Sequence, residues 1–366
     1  MAEKPEMKIK EERMRSLMKA EKLDAVVLTN QNNFAWFTCG KDNHVVTAGD
    51  GGVASIVVTA NAKYIVTNNI EGGRIVEEEV AGQGFELRES PWNEGAVAKD
   101  ILKIIGKGKG ASDNGIAGLP NIDGKIAPLR WELTKEEVER YRRLGKCAEI
   151  TMNRVCKSLT PGITENEIAG RLSMELYSMG ITPYVLLIAA DERINKYRHP
   201  INTDKKVSRY VMNVICARKW GLIVSCTRLV YFGNLPAELK KKHEAVIRVD
   251  AAFNLNTKIG RPINEVFAAG LKEYKATGYA DEWKLHHQGG PTGYAGRDFF
   301  GTADEKRKVV PNQAFAWNPS ITGTKSEDTV IATEKGIEWL SLSMDWPMIE
   351  VEYEGEQVKR EGILVL

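Results

Sequence analysis

The chain has 366 residues, more than one hydrophobic core normally organises, so we expect two domains. Its 43% hydrophobic and 27% charged residues are typical of a soluble globular protein, and a net charge of +2 gives no field for attracting nucleic acid or an anionic membrane. The charged N-terminus lacks the apolar centre of a signal peptide, and no apolar run reaches the roughly 18 residues of a membrane span. Five cysteines without a CxxC spacing indicate free thiols in a reducing compartment. We therefore expect a cytoplasmic protein with no nucleic-acid or membrane partner.

Residues 1–128 alternate between helical and strand patterns, which indicates a small α/β domain. The predicted elements, in chain order, are a helix over 9–22, a strand over 25–29, a polar turn over 30–33, strands over 52–59 and 63–67, a helix over 95–105 and a glycine-rich connection over 106–118. The composition changes near Pro128, and we place the boundary of the second domain, 129–366, at this point.

The second domain begins with two predicted helices. One covers 134–159 with Thr134 as its cap, and the other starts at a capping box formed by Thr164 and Glu167 and continues to Met179. Segments 159–181 and 258–280 share a plan: a Pro/Gly turn, a polar cap, a helix that ends at glycine, and then strands. This repetition predicts two α-β halves related by approximate two-fold symmetry, with a site between them.

Short motifs then follow in a fixed order. They are RHPINTD (198–204), VMNVICARKWGLIVSCTR (211–228), HHQGGPTGYAGRD (286–298), and WNP (317–319) with EDTV (327–330). In order and spacing they resemble the catalytic-domain motifs of the creatinase, proline-peptidase and methionine-aminopeptidase superfamily, and LMKAEKLDAVVLTNQNNFAWFTCG (17–40) looks like the opening of its N-terminal domain. The resemblance implies an α/β (α+β) protein. A creatinase/prolidase-like domain would occupy 1–128, and a pita-bread domain with pseudo-two-fold α-β halves would occupy 129–366.

The resemblance also identifies where the peptidases of this superfamily hold two metal ions. The two aspartates, the histidine and the two glutamates that bind those ions correspond here to Val214, Ser225, Gly290, Asn318 and Glu327. Valine and glycine side chains have no lone pair, and one carboxylate cannot hold two hard cations. We therefore expect a creatinase-like member with no metal and no cofactor, and not a metal-dependent proline peptidase.

Two residues are the predicted catalytic groups. His199 precedes Asn-Thr-Asp, the context in which creatinase has the histidine that transfers protons, so it is the predicted general acid/base. The alternative is a histidine that only caps the turn before Pro200. Glu327 is predicted to hold a positive or N–H-bearing group of the substrate, or to orient His199. An ion pair with Arg228 or Arg297 is the alternative for Glu327.

The predicted substrate-binding residues are Arg228, Arg297, Asp298, His286, His287 and Asn318. A guanidinium suits a planar carboxylate, although both arginines could instead neutralise the nearby acidic side chains. His286 and His287 lie in a glycine-rich loop that permits close approach of a ligand. Adjacent residues point to opposite sides of a strand, so we expect at most one of the two to face the site. Cationic candidates outnumber acidic ones, which predicts a small anionic or zwitterionic substrate. Asn318 takes the place of a creatinase glutamate, so creatine itself does not fit.

These residues favour a metal-independent hydrolase of a C–N bond, amide or amidine-like, in a small carboxylated metabolite. Two alternatives remain open. One is a non-catalytic binding module with the same fold, and the other is a lyase in which His199 abstracts a proton. The resemblance to creatinase also implies a homodimer.

Overall fold

The computed structural model describes residues 5–366. The chain divides into two compact units: the first runs to Glu136 and includes Trp220–Leu222, and the second comprises Glu137–Lys219 and Ile223–Leu366. Within the described range, no helix combines the length and the apolar character that crossing a membrane requires.

The first unit is a mixed sheet with helices. Its helices are α1 (Pro5–Glu21), α2 (Gln31–Phe37), α3 (Gly72–Arg74), α4 (Val97–Ile105) and α5 (Asp123–Ile126). Its strands are β1 (Ala25–Asn30), β2 (Gly51–Thr59), β3 (Lys63–Asn68), β4 (Glu86–Ser90) and β5 (Gly110–Ser112), in the order β4-β3-β2-β1-β5. β2 is antiparallel to both of its neighbours, whereas β1–β5 and β3–β4 are parallel pairs. The α/β prediction for this part of the chain is confirmed.

The polar turn predicted over 30–33 is wrong, because the chain there enters helix α2. Asn33 is fully buried and its Nδ2 donates to Asp113 Oδ2 at 2.9 Å and to Asp123 Oδ1 at 2.8 Å. A buried amide with two carboxylate partners is satisfied in a helix. Those partners are distant in sequence, so local polarity alone indicated a turn.

The second unit contains the remaining helices and strands. The helices are α6 (Lys135–Lys157), α7 (Glu165–Ser178), α8 (Glu192–Lys196), α9 (Ala237–Asn256) and α10 (Ile263–Ala276). The strands are β6 (Thr182–Ala190), β7 (Tyr210–Lys219), β8 (Leu222–Tyr231), β9 (Gly289–Thr292), β10 (Ala314–Trp317), β11 (Ser320–Ile321), β12 (Thr324–Lys325), β13 (Asp328–Thr333), β14 (Gly336–Trp339), β15 (Met348–Tyr353), β16 (Glu356–Glu361) and β17 (Leu364–Val365). They form sheets β17-β8-β7-β6 and β14-β13-β10-β9 and the pairs β11–β12 and β15–β16.

The repeated plan of the two halves is confirmed. Each half has a long helix, a turn, a shorter helix and then sheet strands: α6 and α7 precede β6–β8, as α9 and α10 precede β9, β10 and β13. The turn between the helices is fixed by the same backbone hydrogen bonds in both halves. They are Gly162 N to Val207 O and Val207 N to Ile163 O in the first half, and Gly260 N to Val309 O and Val309 N to Arg261 O in the second. The predicted capping box is also present, with Thr164 N donating to Glu167 Oε2 at 2.7 Å and Glu167 N donating to Thr164 Oγ1 at 3.1 Å.

Two helical glycines provide a matched test of packing in this unit. A Cβ on Gly145 of α6 would lie 2.3 Å from the backbone oxygen of Leu340, whereas a Cβ on exposed Gly170 of α7 would meet no atom within 4 Å. We expect Gly145→Ala to lower the free energy of unfolding by about 1–3 kcal/mol, as overpacking does. Gly170→Ala should raise it by about 1 kcal/mol through helix propensity. Chemical denaturation measures both, and equal effects would contradict the close contact at Gly145.

Candidate active site

The two sheets of the second unit meet at strand β8 and the start of β13. Ser225 N donates to Thr329 Oγ1 at 2.8 Å, and Thr227 N donates to the backbone oxygen of Glu327 at 3.0 Å. Because one sheet comes from each half, side chains from both halves converge at this junction. Glu327 lies at its centre.

The carboxylate of Glu327 is held by two cations. Its Oε2 lies 2.7 Å from Lys325 Nζ and accepts from Thr227 Oγ1 at 2.9 Å, while its Oε1 accepts from Arg297 Nη2 at 3.2 Å. The side chain of Glu327 is only 2% exposed. Burial alone would disfavour the charged form, but Lys325 and Arg297 outweigh it and hold the pKa of Glu327 below its ordinary value. Glu327 is therefore ionised at neutral pH.

Lys325 is the site residue that the sequence analysis missed. It is 5% exposed and contacts Glu327 from two residues earlier in the chain. Alternate residues of an extended segment point to the same side, so the spacing Lys-x-Glu was the available signal. A small cavity beside it is lined by Tyr197, Arg198, Met212, His286, Ser320 and Thr324 as well as by Lys325.

Arg228 does not line the site, contrary to its prediction as a substrate-binding residue. It is 1% exposed, and its Nη2 donates to Asp328 Oδ1 at 3.0 Å and to Glu361 Oε1 at 2.6 Å. The reason is strand alternation: Thr227 faces Glu327, so its neighbour Arg228 faces the opposite side of β8. Of the two arginines considered as ion-pair partners of Glu327, it is Arg297 that occupies this position.

Three histidines form a cluster at the site. His199 Nε2 lies 3.0 Å from His286 Nε2, and the rings of His286 and His287 stack with centroids 4.3 Å apart. One nitrogen from each ring lies within 4.8 Å of the others. The expectation that at most one of the adjacent histidines faces the site is wrong. Both precede β9, so strand alternation does not govern their directions.

All three imidazoles have a lowered pKa. Burial is the largest cause in each case. Lys325 is the next contribution for His199 and His286, and Arg297 is the next for His287, whose pKa falls to about 4. The negative charge of Glu327 opposes the shift at His199. The three rings are therefore neutral at pH 7, with nitrogen lone pairs available for a proton or another Lewis acid.

The remaining predicted residues lie at the edges of this cluster. Asn318 is buried, its backbone N–H donates to Gln288 O at 3.0 Å, and its Oδ1 has no hydrogen-bond partner among residues 5–366. Asp298 is partly exposed and its carboxylate is within electrostatic reach of Tyr141 and Arg307. Asn318 thus has an unused acceptor, whereas the carboxylate of Asp298 contributes to the electrostatic surroundings of Tyr141 and Arg307.

The donors at the five peptidase metal positions do not fit a pair of metal ions. Val214 is 2% exposed and packs in an apolar cluster, Gly290 has no side chain, and buried Ser225 has its Oγ 3.1 Å from Cys216 Sγ. Asn318 is a neutral amide, and Glu327 is already engaged by Lys325 and Arg297. A two-metal centre requires several carboxylate or imidazole ligands at this place.

Known proteins resemble the chain over nearly its whole length. An uncharacterized peptidase of Staphylococcus haemolyticus is 20% identical over 348 residues, which cover 90% of this chain and 98% of the relative. The Xaa-Pro dipeptidase structure from Bacillus anthracis has a TM-score of 0.78 at 17% identity and covers 98% of this chain and 100% of its own. The N-terminal domain of the FACT complex subunit SPT16 from chickpea has a TM-score of 0.71 at 12% identity, covering 92% of this chain and 96% of its own.

Family models match both parts of the chain. The creatinase/prolidase N-terminal domain matches residues 11–131, and metallopeptidase family M24 matches residues 139–334. The predicted pita-bread architecture, with a creatinase/prolidase-like N-terminal domain, is confirmed by these matches and by the shared fold. The chain therefore belongs to metallopeptidase family M24.

Proposed function

We propose that this M24 protein hydrolyses a C–N bond, amide or amidine-like, in a small carboxylated compound without a two-metal centre. The observation that supports this proposal is the engagement of Glu327 by Lys325 and Arg297 at the position of a peptidase metal ligand. Lys325 and Arg297 supply positive charge at this position. They also pair with Glu327, the one carboxylate among the five positions that correspond to metal ligands.

Arg297 is the proposed anchor for the carboxylate of the substrate. Its Nη1 donates to Gly296 O at 2.5 Å and its Nη2 to Glu327, but its buried Nε has no hydrogen-bond partner within residues 5–366. Nη1 and Nη2 each have a second N–H, and a guanidinium N–H beside a site is suited to a charge-assisted hydrogen bond with a carboxylate. The side chain of Arg297 is 13% exposed, so only a small part of its guanidinium group can contact the substrate.

His199 is the proposed general acid/base. It is exposed, neutral, and hydrogen-bonded to His286. An unprotonated nitrogen of this ring takes a proton from a water molecule while the water oxygen bonds to the carbon of the scissile group. The C–N bond then breaks, and the same proton passes to the leaving nitrogen. Water is the second reactant, and the enzyme is unchanged.

A substrate panel tests the proposal. Small carboxylated amides, ureido acids and guanidino acids would be incubated with the protein in excess chelator, and Xaa-Pro dipeptides would be incubated with Mn²⁺. We expect turnover of a compound from the first group in chelator, with ¹⁸O from labelled water in the product. Mn²⁺-dependent cleavage of Xaa-Pro dipeptides that chelator abolishes would contradict the proposal. A product without ¹⁸O would indicate elimination by a lyase.

A second candidate is a non-catalytic binding module. Apolar Val214 and Gly290 at two of the metal-ligand positions favour it, and SPT16, whose N-terminal domain shares the fold, is named as a subunit of a complex. Saturable binding of a peptide without turnover of any compound in the panel would support this candidate over the hydrolase.

A further inference from the structure

We infer that His199, His286 and His287 form a binding site for one transition-metal ion such as Zn²⁺, apart from the five positions that correspond to the M24 metal ligands. Among the histidine, cysteine and acidic side chains of residues 5–366, these three histidines have donor atoms that converge closely enough to bind one ion. Its three members come from the turn after α8 and from the segment before β9.

The geometry requires a modest adjustment. Zinc binds imidazole nitrogen at about 2.0–2.1 Å, so two nitrogens on a tetrahedral ion are roughly 3.3–3.4 Å apart. His199 Nε2 and His286 Nε2 are 3.0 Å apart, and an ion between them would replace the hydrogen that they share. The third nitrogen lies within 4.8 Å, so a rotation of the His287 ring completes the set. The 3.3 Å hydrogen bond from Gly289 N to His287 Nδ1 is long and easily given up.

No hydrogen bond holds the other ring nitrogen of His286, because its buried Nδ1 has no partner among the described residues. The ring can therefore carry its proton on Nδ1 and leave the Nε2 lone pair for an ion. Three imidazoles with an open fourth position match the ligand set of known mononuclear zinc sites.

The chemistry of the donors selects the metal. Imidazole suits Zn²⁺, Ni²⁺ and Cu²⁺, whereas Mg²⁺ and Ca²⁺ prefer oxygen ligands. A neutral imidazole binds an ion through its unprotonated nitrogen, so the proton that His199 and His286 share between their Nε2 atoms must move to the Nδ1 atom of its ring. Nearby cations repel a metal, but Arg198 is paired with Glu282, and Lys325 and Arg297 share Glu327. A solvent anion as the fourth ligand would lower the remaining positive charge.

Binding would have a consequence for catalysis that rests on the proposed function. A metal ion on His199 takes up a lone pair that proton transfer requires. Added Zn²⁺ should therefore inhibit turnover, whereas a two-metal peptidase needs its ions for activity.

Cobalt titration tests the site without any substrate. Tag-free full-length protein would be treated with chelator, desalted and titrated with Co²⁺, followed by its visible absorption, and then with Zn²⁺ in competition. We expect one ion per chain. His286→Gln and His287→Gln should each weaken binding by at least about 100-fold, since even residues that only orient a metal ligand contribute 10–100-fold. His44→Gln, outside the cluster, should bind as wild type does.

Glu327→Gln distinguishes the histidine cluster from the M24 metal positions. This variant should still bind one ion, because it keeps the three imidazoles, but more weakly than wild type, because it loses the negative charge that offsets Lys325 and Arg297. No saturable binding by wild type would overturn the inference. So would loss of binding in Glu327→Gln with retention in both histidine variants. Binding without inhibition would support the metal site and count against the role of His199 in the proposed function.

Discussion

Replacing Arg360 with methionine should lower the free energy of unfolding by at least about 3–5 kcal/mol, the cost of breaking a buried ion pair by removing one partner. Arg360 is fully buried, and it donates to Asp250 Oδ2 at 2.5 Å, Asp328 Oδ2 at 2.8 Å and Glu361 Oε2 at 3.0 Å. Without it, Asp250 would lose its ion-pair partner, and Asp328 and Glu361 would share the single guanidinium of Arg228. The repulsion between these carboxylates would decrease only if the protein unfolded or if one of the carboxylates took up a proton.

The matched control is an exposed arginine. The side chain of Arg142 is 48% exposed and its Nε is 2.6 Å from Glu338 Oε1, so Arg142→Met should change stability by less than about 1 kcal/mol. Chemical denaturation measures both variants. Burial already raises the pKa of Asp250, and removing Arg360 would raise it further. A raised carboxyl pKa gives stability at low pH that is lost as pH rises, so the Arg360→Met deficit should shrink on acidification. Equal effects of the two substitutions would contradict this account.

His199→Ala should lower kcat/KM on the substrate identified from the panel by about 10²–10⁴-fold, the usual contribution of a general acid/base. The wild-type rate should fall on the acid side only below the ordinary histidine range, because burial and Lys325 lower the pKa of His199. Protonation removes the base, so the loss occurs as pH decreases. The alanine variant should lack that acid limb.

His44→Gln provides the control for this experiment, since His44 is a histidine of the first unit and has no part in the cluster. Its rate and pH profile should equal those of wild type. Circular dichroism would show that His199→Ala remains folded. A folded His199→Ala protein with wild-type activity would remove His199 from the mechanism.

The sequence predicted features that depend on neighbours along the chain. The capping box of Thr164 and Glu167 and the alternation of the first unit follow from local spacing, and both are present. Helix α2 was missed because the partner of Asn33, Asp113, is distant in sequence.

The site was harder to predict than the fold. Arg228 was assigned to the site by its motif, but strand alternation turns it away from Glu327. The same alternation, applied to Lys325, would have placed an ammonium beside Glu327. His286 and His287 were treated as strand residues although they precede β9, so their joint approach to His199 depended on loop geometry that spacing does not reveal.

The packing of Val214 has a consequence for how this protein could change over evolutionary time. The side chain lies in a cluster with Leu187, Ala189, Ile194, Tyr210, Met212, Leu229, Tyr231 and Ile363. An aspartate there would bury an unpaired charge among apolar groups, and this first step toward a two-metal peptidase would destabilise the fold before the other ligands existed. A carboxylate at position 214 would therefore become tolerable only after neighbouring residues of the cluster had changed to pair with it.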